Sequence, residues 1–277
     1  MTSEEWAKRV PKYERVLDEL KQSVSSRSTF SRFSFLAGLL YIKSHYRVSN
    51  NYFDALLVLL SDAFSSSNVP KSCEEAHKYI RELGQGYESI HVCEYNYVLF
   101  WGDHEELQAC AKCKESRWED ADGSKRVPHK VLRHFPLIPR LQRIFVARGT
   151  AADAEWHKTK REKKTGEMSH LADGEAWQHF DRKHKTFADD PRNLRLAIAI
   201  DGFNPFGNFS STYSMWPILV TPLNLPPWEC ANPSNCFMSL LILGPTSPGK
   251  DFDVFLEPLI EELKELWKGV NTILMYL

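Results

Sequence analysis

The spacing of apolar residues along the chain predicts helices in its first third and strands in its last third. Between Phe35 and Leu83, apolar residues recur at helical intervals in "SFLAGLLYIKSHY", "NNYFDALLVLLSDAF" and "SCEEAHKYIREL". The later runs "RLAIAID", "YSMWPILVTPL" and "FMSLLILGP" are short and apolar, which predicts strands. The amphipathic segment "DFDVFLEPLIEELKELWKGV" predicts a final helix with one apolar face. The predicted fold class is therefore mixed α/β (α+β).

Changes in composition divide the chain into five predicted parts. They are a surface helix and linker (1–34), a helical region (35–86), a small cysteine-containing segment (87–118), a basic connecting region (119–193) and the strand-containing region (194–277). The pattern shows no internal repeat.

The composition is that of a globular protein without a secretory signal peptide or a membrane segment. A chain of 277 residues with 43% hydrophobic residues can bury a sizeable core. The N-terminus lacks the apolar stretch of a signal peptide, and no run is long enough to cross a bilayer. We therefore expect a nuclear or cytoplasmic protein that is not secreted and has no membrane partner. Its six cysteines are then expected to be thiols or metal ligands rather than disulfides.

Charge is unevenly distributed along a nearly neutral chain. The formal net charge is -1, yet residues 125–164 contain 12 Lys or Arg against 3 Asp or Glu, a net +9. Such a segment predicts contact with a polyanion such as DNA, although a solvated basic surface would give the same pattern. Its run "KTKREKK" also fits a nuclear import signal. The candidate DNA contacts are Arg133, Arg140, Arg143, Arg148, Lys158, Lys160, Arg161, Lys163 and Lys164.

Three cysteines form a candidate zinc site. Cys110 and Cys113 in "CAKC" have the spacing at which two thiolates reach one tetrahedral ion, and Cys93 could supply a third ligand. His91 or His104 could complete the set of four. The alternative is that the three cysteines lie close in sequence by chance.

Asp201 is the candidate ligand for a second kind of metal. It follows the apolar run "LAIAI" and precedes a Gly and an Asn-Pro turn signal in "DGFNPFG". Three antiparallel strands followed by a helix begin the ribonuclease H-like fold, in which the first strand carries a metal-binding Asp. Such sites hold two Mg²⁺ ions that act on a phosphodiester. The alternative is that Asp201 caps the turn that follows it.

Longer motifs, spread over nearly the whole chain, resemble those of a known protein family. The segments "DGFNPFG" and "TPLNLPPW", with "FSFLAGLLYIKSHYRVSNNYFDALLVLL", "LGQGYESIHVC" and "LIPRLQRIF", closely resemble the transposases of plant CACTA (En/Spm) DNA transposons. The resemblance covers roughly residues 30–270. It implies cut-and-paste DNA transposition on the element's termini with Mg²⁺ or Mn²⁺.

The resemblance also implies roles for particular residues. Asp201 becomes the first acidic residue of the catalytic set, and Cys93, Cys110 and Cys113 become part of a cysteine cluster ahead of the core. Two departures stand out: Tyr97 occupies the position of a further family cysteine, and "VNTILMYL" follows the last helix where the family continues to its second and third acidic residues. We therefore expect an incomplete ribonuclease H-like core that is catalytically inactive by itself.

Three functional hypotheses follow from these observations. The first is a metal-dependent DNA transposase. The second is a non-catalytic module that binds DNA through the basic segment, whose affinity would fall steeply with salt. The third is a non-functional remnant of a decayed element. The sequence does not predict an oligomeric state.

Overall fold

The chain forms two compact units, one within Met1–Gly86 and one within Tyr87–Leu277. In the computed structural model, the described residues are 22–24, 28–63, 69–82, 86–120, 126–145, 148–162, 166–207 and 213–272. The surface helix predicted near the N-terminus falls largely on residues 1–21, outside the described residues.

The N-terminal unit contains the three helices that the apolar spacing predicts. They are α1 (Arg32–His45), α2 (Asn50–Ala63) and α3 (Cys73–Glu82). Ser31 caps α1 by accepting a hydrogen bond from the amide of Ser34 at 3.1 Å. Asp54 on α2 accepts from the first amide of α3, that of Cys73, at 2.6 Å. The buried core of this unit comprises Val24, Phe53, Leu57, Val69 and Cys73.

A six-stranded sheet organises the second unit. Its strands are β1 (Glu88–Val92), β2 (Leu99–Phe100), β3 (Lys130–His134), β4 (Leu196–Ile200), β5 (Trp216–Pro222) and β6 (Phe237–Ile242). They lie in the order β2-β1-β3-β6-β5-β4, and every neighbouring pair is antiparallel. The three strands predicted in the last third are therefore confirmed as a consecutive set. The same sheet also incorporates strands from the cysteine-containing segment and the basic region.

The described residues of this unit also form helices, in both halves of its sequence. They are α4 (Leu137–Ile144), α5 (Arg148–Ala154), α6 (Trp156–Thr159), α7 (Glu175–Lys183), α8 (Lys185–Asp189), α9 (Pro227–Cys230) and α10 (Phe252–Lys268). Helices α4 and α10 pack against each other and against β6. Their buried side chains, among them Leu137, Leu141 and Leu259, join Ile218 and Leu240 in one core. The mixed α/β class is thus confirmed, whereas the ribonuclease H-like assignment stays a prediction.

One buried carboxylate joins the two helices to the sheet. Glu262 on α10 accepts hydrogen bonds from the first amides of α4, those of Leu137 at 2.8 Å and Ile138 at 3.2 Å. It also lies 3.0 Å from Nε2 of His134 on β3. Burial by itself would lower the pKa of His134, but Glu262 and the carboxylate of Glu88, 3.7 Å away, raise that pKa above its ordinary value. Glu262 therefore forms hydrogen bonds with a helix N-terminus and with the imidazole of His134 at once.

Candidate functional site

Asp201 lies at the end of β4, the edge strand of the sheet, and its side chain is exposed. Its Oδ1 accepts a hydrogen bond from the amide of Gly202 at 2.8 Å. The next polar residue of the loop, Asn204, accepts from the amide of Phe206 at 2.9 Å and so shapes the Asn-Pro turn. The turn role that the sequence allows for Asp201 is therefore present in the structure, and the carboxylate also remains accessible from solvent.

The loop after Asp201 folds back closely on the start of β5. The amide of Phe203 donates to the carbonyl of Met215 at 2.9 Å, and the amide of Met215 donates to the carbonyl of Phe203 at 2.8 Å. A Cβ atom at residue 202 would lie 2.6 Å from the indole of Trp216. Only glycine allows this approach. The position of Asp201 is thus fixed by backbone contacts on its C-terminal side.

Among the described residues, Asp201 belongs to no group of three or more metal-ligating side chains. Asp251 and Asp253 lie at the start of α10, where carboxylates interact favourably with a helix N-terminus. Asp190, which precedes β4, binds Arg192 through both carboxylate oxygens, and the hydrogen bonds from Arg192 hold the pKa of Asp190 below its ordinary value. A single exposed carboxylate can bind one hydrated divalent ion weakly, but a two-ion centre needs further ligands.

Cys93, Cys110 and Cys113 come together on two turns of the same length. The amide of Cys93 donates to the carbonyl of Val98 at 3.0 Å, and the amide of Cys110 donates to the carbonyl of Glu115 at 2.8 Å. Each turn contains one non-glycine residue with positive φ, Asn96 at 63° and Lys114 at 67°. The Sγ atoms of Cys93 and Cys113 are 3.5 Å apart, and all three sulfurs lie within 4.8 Å of one another. The chain therefore presents a compact set of three thiols.

Two of the three thiols, those of Cys93 and Cys110, differ in how readily they ionise. Burial raises the pKa of Cys93 to about 12. Burial acts in the same direction on Cys110, but hydrogen bonds from the amides of Cys113 and Lys112 and from the neighbouring thiols lower its pKa overall. Cys110 thus becomes a thiolate more readily than Cys93 does. Backbone N–H groups directed at sulfur suit thiolates, and thiolates are ligands that Zn²⁺ prefers. The donor set is compatible with Zn²⁺.

Neither histidine considered as a fourth ligand joins the cysteine cluster. Nδ1 of His91 accepts a hydrogen bond from Nε of Arg117 at 2.8 Å, and His104 ends a short 3₁₀ turn on the other side of β2 in the sequence. Within the described residues, the metal-ligating group contains the three cysteines and no His, Asp or Glu. The expectation that His91 or His104 completes the site is therefore not met by this structure.

The basic residues predicted to contact DNA occupy different environments. Arg143, Lys158 and Lys160 are exposed, and Arg133 is half-buried with its guanidinium 5.1 Å from the ring centroid of Tyr87. Lys158 donates to the carbonyls at the end of α8, those of Ala188 and Asp189, both at 2.8 Å. Lys163 and Lys164 lie outside the described residues, as does the side chain of Arg148.

Two of the predicted DNA contacts are buried and bind other atoms of the protein instead. Arg140 is 7% exposed, and its guanidinium donates to the carbonyl of Pro136 and lies over the ring of Phe135. Arg161 forms a largely buried ion pair with Asp173 and donates to the carbonyl of His157. Neither guanidinium faces solvent in this structure. A run of positive charge in the sequence thus included residues that stabilise the fold.

A buried polar network near the end of β5 was not singled out by the sequence. Asn224 is fully buried; its Oδ1 accepts from the amide of Arg195 at 2.7 Å and its Nδ2 donates to the carbonyl of Asn193 at 3.0 Å. His157 lies beside it, and burial together with the charge of Arg195 lowers the pKa of His157 to about 4. The only signal in the sequence is a polar residue inside "TPLNLPPW". The network ties the connecting region to the sheet.

Comparison with known proteins gives one match. Residues 165–276 match the family model described as Transposase family tnp2. No curated protein and no solved structure matches the chain. The matched residues include Asp201, Asn224 and α10, whereas the cysteine cluster precedes them. The match supports a transposase family for this chain.

The helices were also compared with the requirements of a membrane span. Across the part of the chain that the structure describes, no helix combines the length and apolar character that crossing a bilayer requires.

Proposed function

We propose that this protein is a transposase of the CACTA (En/Spm) type whose described region binds DNA and supplies one ligand of a metal centre. The observation that carries the proposal is the transposase family match over residues 165–276, which includes the segment around Asp201. The close approach of Gly202 to Trp216 supports it, because this contact fixes where the carboxylate leaves the sheet. A protein that acts on the DNA of a transposable element in this way works in the nucleus.

We assign Asp201 as a ligand of Mg²⁺ or Mn²⁺. Both are hard ions that prefer carboxylate oxygen, and in a phosphodiester-cleaving centre they activate the attacking oxygen and stabilise the leaving one. Asp201 is exposed and belongs to no group of three or more metal-ligating side chains among the described residues. One carboxylate does not hold two ions. The chain of 277 residues is therefore proposed to bind DNA without cleaving it.

A nicking assay tests the non-catalytic part of this proposal. We expect the full chain to convert no more supercoiled plasmid to nicked circles in Mg²⁺ or Mn²⁺ than the Asp201→Asn variant does, because the metal centre is incomplete. Asp253→Asn, which removes another exposed carboxylate, is the matched control. Metal-dependent nicking that disappears only in Asp201→Asn would show that the chain is an active nuclease.

We propose that DNA phosphates contact the exposed basic residues Arg143, Lys158 and Lys160, together with Arg133. The first three are exposed residues, Arg143 on α4 and the two lysines on and just after α6. Long cations of this kind neutralise phosphates without reading base sequence. Arg140 and Arg161 are left out of the proposed contact set because their side chains are largely buried.

The salt dependence of DNA affinity tests this contact set. In the double variant Arg143→Gln, Lys160→Gln, we expect weaker binding and a smaller slope of log affinity against log salt. The slope should fall by about 0.9 for each phosphate contact removed. Lys264→Gln removes an exposed charge from α10 and is the control that should leave the slope unchanged. An unchanged slope in the double variant would contradict the assignment.

We further propose that Cys93, Cys110 and Cys113 bind Zn²⁺ as thiolates. The three sulfurs lie within 4.8 Å of one another and sit on turns whose amide groups are directed at them. A zinc ion there would hold together two turns that few apolar contacts stabilise. When bound, the ion would cross-link the two turns, as a structural zinc ion does.

A further inference from the structure

The cysteine cluster supplies three donors, whereas zinc in proteins is almost always bound by four. The second turn contributes two of the three, Cys110 and Cys113, and the first turn contributes only Cys93. Among the described residues, no other cysteine, histidine or carboxylate has a donor atom within the same group. A tetrahedral ion at the three sulfurs would therefore have a fourth position that this set of side chains does not fill.

On the first turn, the polar side chains nearest to the fourth coordination position make contacts elsewhere. The amides of Tyr95 and Tyr97 are directed at Sγ of Cys93, which places the backbone of Tyr97 next to the cluster. The Tyr97 side chain itself is 41% exposed and packs near the ring of Tyr95. Oδ1 of Asn96 accepts a hydrogen bond from Nζ of Lys130 at 2.9 Å. The first turn thus approaches the cluster with its backbone rather than with a fourth ligand.

The cluster is accessible from one side. Cys93 and Cys110 are each only 1% exposed, whereas Cys113 is partly exposed to solvent. The residues flanking Cys113, Lys112 and Lys114, are also exposed. A small molecule or a side chain of another molecule can therefore approach the metal position past Cys113, and not past the two buried sulfurs.

We infer that the zinc ion of this cluster keeps one exchangeable coordination position on the Cys113 side, occupied by water and open to a neutral nitrogen donor such as the imidazole of a partner. The inference rests on the proposed zinc site. Three thiolates and Zn²⁺ carry a net charge of about -1, which a neutral donor leaves unchanged. A fourth thiolate would bring the charge to about -2 beside two sulfurs that are almost fully buried, at a greater cost in desolvation.

Cobalt substitution tests the inference on the full chain. Co²⁺ takes the tetrahedral geometry of Zn²⁺ and gives visible absorption that responds to a change of ligand. We expect the Co²⁺ protein to show a thiolate spectrum that shifts in a saturable manner, with one site, when imidazole is added. In Tyr97→Cys, a thiol introduced beside Cys93 should occupy the fourth position, and the response to imidazole should be lost. Cys236→Ser, which removes a cysteine outside the cluster, should behave as the wild type.

The possible results distinguish a failure of the exchangeable position from a failure of the zinc site. A thiolate spectrum that imidazole does not change would overturn the exchangeable position while leaving the zinc site in place. A chain that gives no thiolate-to-cobalt absorption would overturn both. X-ray absorption of the Zn²⁺ protein provides a second measurement, for which we expect three sulfur neighbours and one nitrogen or oxygen neighbour. Four sulfur neighbours would contradict the inference.

Discussion

Replacing Glu262 by alanine is expected to lower the free energy of unfolding of the Tyr87–Leu277 unit by about 3 to 5 kcal/mol. Glu262 is 3% exposed and accepts from the amides of Leu137 and Ile138 and from His134. Its removal leaves two amide donors at the start of α4 and Nε2 of His134 without their partner. The loss is large because each of these groups was desolvated on folding and cannot regain water in the variant.

Urea unfolding followed by tryptophan fluorescence measures this change. The matched control is Glu261→Ala, at the adjacent position of α10, whose exposed side chain pairs with Lys264 at 2.7 Å. An exposed pair of this kind contributes little, so we expect a change of no more than about 0.5 kcal/mol. Equal effects of the two substitutions would show that the loss comes from helix propensity and not from the buried contacts.

Asn224→Ala is expected to lower the free energy of unfolding of the same unit by about 2 to 4 kcal/mol. The side chain of Asn224 has no exposure to solvent. It accepts a hydrogen bond from the amide of Arg195 and donates one to the carbonyl of Asn193. In the alanine variant, both backbone groups lose this partner in a part-buried environment. The residues just before β4 would then lose their attachment to the end of β5.

The control for this substitution is Asn204→Ala. Asn204 also accepts a hydrogen bond from a backbone amide, that of Phe206, but it is exposed, so water can replace its side chain. We expect a loss below about 1 kcal/mol in urea unfolding. A similar loss in both variants would mean that burial does not set the contribution of Asn224.

The sequence predicted the elements whose apolar pattern is long or clearly alternating. Helix α10 and strands β4 to β6 were predicted because the helical apolar face and the short apolar runs are local signals. Strand β3 was not predicted, since "KVLRH" is five residues of mixed character between prolines. Its place is determined by pairing with β1 and β6, and such distant pairing leaves no local pattern.

The candidate sites were predicted to different extents for similar reasons. The spacing of Cys110 and Cys113 is a local property of the chain, and the structure brings their sulfurs together with that of Cys93. For the basic segment, the DNA contacts were predicted from the number of charges alone. That number does not distinguish the buried Arg140 from the exposed Arg143. The burial of Asn224 and Glu262 depends on packing between distant segments. Sequence spacing predicts clusters within one turn better than it predicts burial.

The order of strands in the sheet has a consequence for synthesis of the protein. Strand β3 pairs with β6 through residues such as Leu132 and Ile242, which are about 110 positions apart. As the chain leaves the ribosome, β1, β2 and β3 emerge long before the strand that covers the open edge of β3. An uncovered edge can pair with other chains. Until β6 has emerged, this edge of β3 is therefore open to pairing with other chains.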